Sequence, residues 1–413
     1  MKMKALVLSC CTTLLVLLNF SVCLNAQQET ILLNLSASIR SIGVDPQAHL
    51  LRDRAGNLYG TTSSYGPKSQ GTVFELTPDG NGSWKSKILH AFLSSFYDGQ
   101  RPEAGLIFDA AGNLYGTTYW GGLYNKGCVF ELMPQADGSW KEKLLHSFGF
   151  GAQDGQYPQA GVIFDSHGNL YGTTMLGGSG TLGTVYLLIP QSDGTWKEKV
   201  LHSFTQTGAD GYTLLAGLVM DHAGNLYGST VNGVPGVGGT VFELSPTTQG
   251  PWKETILHTF AVDGVDGYSP YGTLIFDPAG NLYGTTFGGG AFSSGTAFEL
   301  SPAVDGSWTE TILHNFSGAP GDGSTPYSSL IFDVKGNLYG ITELGGLYNY
   351  GTVFKMSPAS GGGWTETPLH SFGATGDGQF PLGSLIFDNA GNLYGMTDEG
   401  GSTGYGTVYE ITP

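Results

Sequence analysis

The pentapeptide Gly-Asn-Leu-Tyr-Gly begins at Gly56, Gly112, Gly168, Gly224, Gly280, Gly336 and Gly391, at intervals of 56 residues with a last step of 55. Seven copies in phase confine the chain to an architecture in which one unit recurs and leans on its neighbours, a propeller or a solenoid. Two more markers keep the same phase. One is Gly71-Thr-Val-Phe-Glu-Leu76 with its sisters down to Gly406–Ile411. The other is a Trp followed by Leu-His-x-Phe, starting six times between Trp84 and Trp364.

Each unit reads as four short strands. In the second, Leu106-Ile-Phe-Asp109 is nearly all apolar, as in a strand buried on both faces. A tight turn at Ala110–Gly112 leads into Asn113–Thr118, and a nine-residue loop follows before the Val-Phe-Glu-Leu strand. Pro134 to Gly138 marks another turn. The fourth strand alternates, with Trp140, Glu142, Leu144, His146 and Phe148 expected on one face and Lys141, Lys143 and Ser147 on the other. Period two persists and no helical pattern follows the N-terminal segment, so the expected class is all-β.

Seven units of four strands match a seven-bladed β-propeller, since a solenoid would need atypical capping repeats. The ends point the same way. Glu29–Leu35 resembles Glu254–Phe260, the fourth strand of a unit, while the last unit stops at Pro413 after its third strand. An N-terminal strand completing the last blade closes the ring.

Residues 1–26 read as a signal peptide: a basic start at Lys2 and Lys4, an apolar run, and Ala26 before Gln27. The mature chain, a single domain of residues 27–413, is then expected to be secreted or periplasmic and monomeric, with no membrane span. Cys10, Cys11 and Cys23 leave with the signal, so Cys128 has no partner for a disulfide. A net charge of −17 argues against nucleic acid as a partner.

These markers resemble those of the GloVer tandem-repeat proteins, a bacterial family in which Gly-Asn-Leu-Tyr-Gly-Thr-Thr and Gly-Thr-Val-Phe-Glu-Leu recur. The resemblance covers residues 29–413. Relatives often carry a C-terminal surface anchor, which this sequence does not show, so release is the expectation. The family implies no established activity.

Residues present in every unit are poor catalytic candidates, because an enzyme needs one site. The six histidines from His90 to His370 stand 56 apart, too far to share one metal, and each Asp-x-x-Gly turn offers one carboxylate, short of a calcium shell. No metal and no cofactor is expected. Gly178–Gly183 and Gly400–Gly404 imitate dinucleotide and nucleophile-elbow motifs without the helix that either requires.

Residues that differ between blades carry more information. The loops between second and third strands should share a face with the connections between blades. Those connections contribute Asp98, Asp154, Asp210, Asp266, Asp322 and Asp377 with nearby aromatics. The ligand-binding candidates are Tyr119, Trp120, Tyr124, Glu343, Tyr348, Tyr350, Asp398 and Glu399. Exposed aromatics beside carboxylates suit a neutral glycan, whose apolar faces stack while its hydroxyls bond, or a cell-surface protein. The same rings could simply fill gaps between blades. A non-catalytic carbohydrate-binding module is the favoured reading, ahead of an interaction scaffold and of a polysaccharide-cleaving hydrolase or lyase using two carboxylates.

Overall fold

The computed structural model describes residues 28–206, 210–234, 236–248 and 250–413; the expected signal segment and its cleavage point at Gln27 lie outside them. Among the described residues there is no helix, and so none long and apolar enough to cross a membrane. Seven four-stranded antiparallel sheets follow one another around a ring. In blade two, Ile107–Phe108, Leu114–Thr118, Cys128–Pro134 and Trp140–Ser147 pair in chain order from the axis outwards. Blade seven takes Gly378–Phe387, Leu393–Gly400 and Thr407–Thr412 from the end of the chain and Gln28–Asn34 as its outer strand. Glu29 lies opposite Ile411 and Asn34 opposite Thr407, so the fold is the ring-closed seven-bladed propeller that the sequence implies.

One turn accounts for the pentapeptide. Asp109 Oδ1 accepts the N–H groups of Ala111 and Asn113 at 2.9 and 2.8 Å. Its Oδ2 accepts the Asn113 side-chain amide at 2.8 Å and the Tyr115 hydroxyl at 3.2 Å. The Asn and Tyr of the motif are therefore the aspartate's partners, and the other six blades repeat the arrangement from Asp53 to Asp388. The closing glycine of the pentapeptide has another task. A Cβ on Gly116 would stand 2.7 Å from the Phe130 ring and 2.9 Å from Leu106, so only hydrogen lets the adjacent strand's ring lie flat there.

The core consists of slabs between blades. Tyr115, Val129, Leu145 and Phe148 pack on Val162, Leu170, Tyr186 and Leu188 of the next blade. Where the ends meet, Leu35, Met396 and Val408 pack on Leu50, Leu58 and Phe74. Each fully buried side chain of this size contributes roughly 1.5–3 kcal/mol. Polar links reinforce the slabs, as when the Thr117 hydroxyl donates to the Ala160 carbonyl of blade three at 2.9 Å.

The outer strand departs from the expected alternation. Val129 faces His146 but Phe130 faces Leu144, which leaves Leu145 as the extra residue of a β-bulge. The bulge reverses the strand's sidedness midway. Trp140 and Leu144 consequently pack toward blade one, whereas Leu145 and Phe148 pack toward blade three. Apolar doublets such as Leu144-Leu145 and Ile256-Leu257 are its sequence trace, and every outer strand carries it, including the closing one between Ile31 and Leu33.

Because of the bulge, each outer-strand histidine meets carboxylates. His90 Nε2 is 3.2 Å from Asp98 Oδ1 and 3.8 Å from Glu142 Oε2 of blade two. At the junction of blades six and seven the closing strand supplies the glutamate, with His370 3.0 Å from Asp377 and 3.9 Å from Glu29. The junction of blades seven and one differs. There Leu33, Ile42 and Ser86 occupy the corresponding positions, and Leu33 and Ile42 join an apolar cluster.

Two outcomes are expected. Deleting residues 28–35 exposes the edge of Thr407–Thr412 and removes Leu32, Leu33 and Leu35 from the closing slab, so the melting temperature drops and the chain self-associates; an unchanged, monomeric melt would refute ring closure. Gly116→Ala should cost about 1–3 kcal/mol in denaturant melts through overpacking against Phe130. Gly361→Ala, with nothing within 4 Å of its added Cβ, should be close to neutral.

Candidate functional site

The loops between second and third strands do share a face with the interblade connections: Gly99–Gln100 of one connection pairs with Trp120–Gly121 of such a loop. Within each connection one residue is held in the left-handed region. Asp45, Arg101, Tyr157, Thr213, Ser269, Thr325 and Phe380 have φ between 52° and 64°, seven of the thirteen described non-glycine residues with positive φ. Their backbones are locked on both sides. Tyr157 N–H donates to the Lys126 carbonyl at 2.8 Å, and its own carbonyl accepts the Met175 N–H at 3.0 Å. A non-glycine residue costs on the order of 1–2 kcal/mol in this conformation. This chain uses glycine at most of its positive-φ positions, so the ring retains side chains at a cost, a pattern associated with functional sites.

Two residues further along, Gln47, Glu103, Gln159, Leu215, Tyr271 and Tyr327 come from successive blades and line the axial channel, a cavity of about 120 Å³. Tyr271 and Tyr327 stack with centroids 4.8 Å apart, and Phe287 lies 5.3 Å from Tyr271. His49 also lines the channel, and burial pushes its imidazole below the usual range, toward the neutral form. Gly105 makes room for that ring, since a Cβ there would stand 2.2 Å from it.

The mouth of the channel has distinct sectors. On the side of blades two and three, Arg101 lies over the Tyr119 and Trp120 rings at 5.7 and 4.8 Å and pairs with Glu103 at 2.9 Å. Tyr157 stands 5.2 Å from Tyr119, with Lys126 Nζ bonded to its hydroxyl. On the side of blades six, seven and one the sector is acidic. Burial pushes Asp398 up to about 6, helped by the nearby carboxylates Asp45, Glu399 and Glu343. Burial likewise raises Glu343 and Glu103, the latter against the pull of Arg101. Tyr327 bridges the sectors: its hydroxyl, pushed up to about 12 chiefly by burial, feels Tyr271, Glu343 and Glu103. Among the described residues, two buried atoms at the mouth lack a hydrogen-bond partner, the donor Arg101 Nε and the acceptor Asp398 Oδ1.

The eight candidates from the sequence therefore divide. Tyr119, Glu343 and Asp398 belong to the mouth, and Trp120 joins them through Arg101. Tyr350 packs against Phe380 at 5.3 Å and into the slab between blades six and seven. Tyr124 lies near Phe150 and over outer-strand residues 144–147, towards the rim, and Tyr348 adjoins Gly373 just past its own outer strand. Glu399 is exposed on its strand opposite Gln379, whereas Asp398 is partly buried.

The connection aspartates are not available on this face. Asp98, Asp154 and Asp377 are 3%, 6% and 7% exposed, and their Oδ2 atoms accept the N–H groups of Leu93, Gly149 and Gly373. Sequence reasoning passes over Asp45, Gln47, His49, Arg101, Glu103, Gln159 and Tyr271. Their signal is a repeat position that changes from blade to blade: Asp45 and Arg101 stand just before a proline, Gln47, Glu103, Gln159 and Tyr271 just after one, and His49 two residues before the first strand.

Known structures share the architecture at low identity, which shows the fold alone. A candidate 6-phosphogluconolactonase from Bacteroides uniformis superposes with a TM-score of 0.52 at 13% identity, covering 88% of this chain and 95% of its own. An ancestral GH74 enzyme gives 0.59 at 11%, covering 90% of this chain and 48% of its own, so this chain spans about half of that enzyme. A PL25 ulvan lyase, a polysaccharide lyase, gives 0.53 at 11%, covering 92% and 96%. No curated protein matches the sequence. The Gloeobacter/Verrucomicrobia repeat family matches it over residues 19–235 and 216–413, and with seven in-phase repeats forming seven blades, the chain belongs to that family.

Proposed function

We propose that this propeller binds a neutral or weakly charged carbohydrate in the funnel at the axial mouth of the loop face, outside the cytoplasm. The observation that carries this is the ring of left-handed, non-glycine residues, which vary from blade to blade, two residues before the side chains that line the axial cavity; Tyr271 and Tyr327 stand in that lining, and Arg101 and Asp398 keep unsatisfied polar atoms nearby. Sugar rings stack on aromatic faces such as Tyr119 and Tyr157. Their hydroxyls both accept and donate, which suits the unpartnered Arg101 Nε and Asp398 Oδ1. A GH74 enzyme and a polysaccharide lyase among the similar folds agree with this ligand class.

A second reading, cleavage of the bound glycan, is favoured by one observation: a carboxyl near 6 beside other carboxylates is placed to act as an acid close to neutral pH. A glycan-array screen followed by a turnover assay on each hit separates the two, since product release identifies an enzyme and binding alone a module.

Tyr119→Ala should weaken the best glycan by about thirty-fold, near 2 kcal/mol. Tyr348→Ala at the rim and Lys335→Ala on the opposite face should leave affinity unchanged; the reverse ranking in calorimetry would place the ligand elsewhere. Affinity should also depend on pH. A hydroxyl donating to Asp398 Oδ1 favours the ionised carboxyl, so binding strengthens as pH rises through about 6 and weakens below it, by at most tenfold per unit. Asp398→Asn should abolish that slope.

A further inference from the structure

Both edges of blade four carry a cluster that the carbohydrate reading does not use. Its outer strand, Lys253–Ala261, turns Glu254 toward blade three and, beyond the bulge, His258 toward blade five. On the first side His202 Nε2 is 3.7 Å from Asp210 Oδ1 and 3.7 Å from Glu254 Oε2. On the second side His258 Nε2 is 3.3 Å from Asp266 Oδ2 and 3.7 Å from Glu310 Oε2. In each cluster one nitrogen and two carboxylate oxygens lie within 4.8 Å of one another.

These two junctions differ from the others in what is left unbonded. Among the described residues, His202 Nε2, Asp210 Oδ1 and Glu254 Oε1 are buried without a hydrogen-bond partner, and so are His258 Nε2, Asp266 Oδ1 and Glu310 Oε1. Asp210 is only 9% exposed, and its other oxygen accepts the Thr205 N–H at 2.7 Å, which holds the free one toward the histidine. Each cluster thus sets an imidazole nitrogen beside two carboxylates that each keep a buried, unbonded oxygen, an arrangement that is costly unless something occupies the site.

We propose that the His202/Asp210/Glu254 and His258/Asp266/Glu310 clusters each bind a first-row divalent metal ion, Zn²⁺ being the ion of best fit. Zinc takes nitrogen and carboxylate ligands at about 2.0–2.2 Å in a tetrahedron, which sets ligand atoms about 3.3–3.5 Å apart, near the 3.3–3.7 Å between each histidine nitrogen and its carboxylates here. One imidazole with two carboxylates is too few oxygens for Ca²⁺. Both histidines are about a fifth exposed, so solvent reaches the edge of each cluster. A dication also settles the charge problem of two carboxylates in one partly buried site. The phenylalanine two residues on, Phe204 or Phe260, packs edge-on against each imidazole at 4.6 Å and fixes its orientation. The spacing argument that discounted a metal compared histidines with one another; the ligands come instead from adjacent blades.

The test uses the full chain stripped with a chelator and then titrated with Zn²⁺ by calorimetry and by thermal melting. Two equivalents should bind and raise the melting temperature, and Ca²⁺ should do neither. Glu254→Gln and Glu310→Gln should each remove one equivalent. Absence of Zn²⁺ binding, or a stoichiometry unchanged in both variants, overturns the proposal. Should a variant fail to fold, Co²⁺ replaces Zn²⁺ in the unmodified chain. The visible bands of four- or five-coordinate cobalt with N/O ligands support the sites, and their absence refutes them.

Discussion

A four-stranded blade cannot bury either of its faces alone, and everything else in this protein follows from that. Leu114 and Phe130 are inaccessible only because blade one covers them, and Tyr115 and Val129 because blade three does. Stability is therefore a property of junctions, with each unit contributing half of two slabs. A row of such units has two raw faces, and a ring has none. The short strand Gln28–Asn34 matters out of proportion to its length because it turns a row into a ring.

The sequence was most legible where one physical demand recurs. An aspartate that must satisfy a tight turn recruits the same Asn and Tyr seven times, and the pentapeptide is the visible result. Strand number, order and closure followed from such markers. Legibility failed where one residue's setting depends on another blade. The alternation from Trp140 to Phe148 looks regular on paper, but the Leu144-Leu145 doublet reverses it halfway. Asp98 looks like a surface carboxylate beside a glycine, yet the Leu93 N–H and His90 hold it inside.

The candidate site was half legible for a related reason. Tyr119, Glu343 and Asp398 stand at the start of long loops, where variation is conspicuous. Arg101, Glu103 and Tyr271 occupy positions of one residue each within otherwise uniform segments, and only the circular arrangement brings them to a common axis. Similar segments thus present a varied set of side chains to one small volume. Its chemistry is uneven: cationic and aromatic beside blades two and three, acidic beside blades six, seven and one.

The junction where the chain's ends meet breaks the pattern of the other six, and this has a consequence for how the ring finds its own ends. Near-identical blades invite error, since a terminal strand could lodge against the wrong partner or in another molecule. With Leu33 where the other outer strands carry histidine, a misplaced closing strand would set a hydrocarbon beside a buried aspartate and leave that carboxylate without its imidazole. Only beside Ile42 and Ser86 does Leu33 meet no such aspartate or glutamate. The seam works as an address, written in the absence of charge, that tells a repetitive chain where to stop.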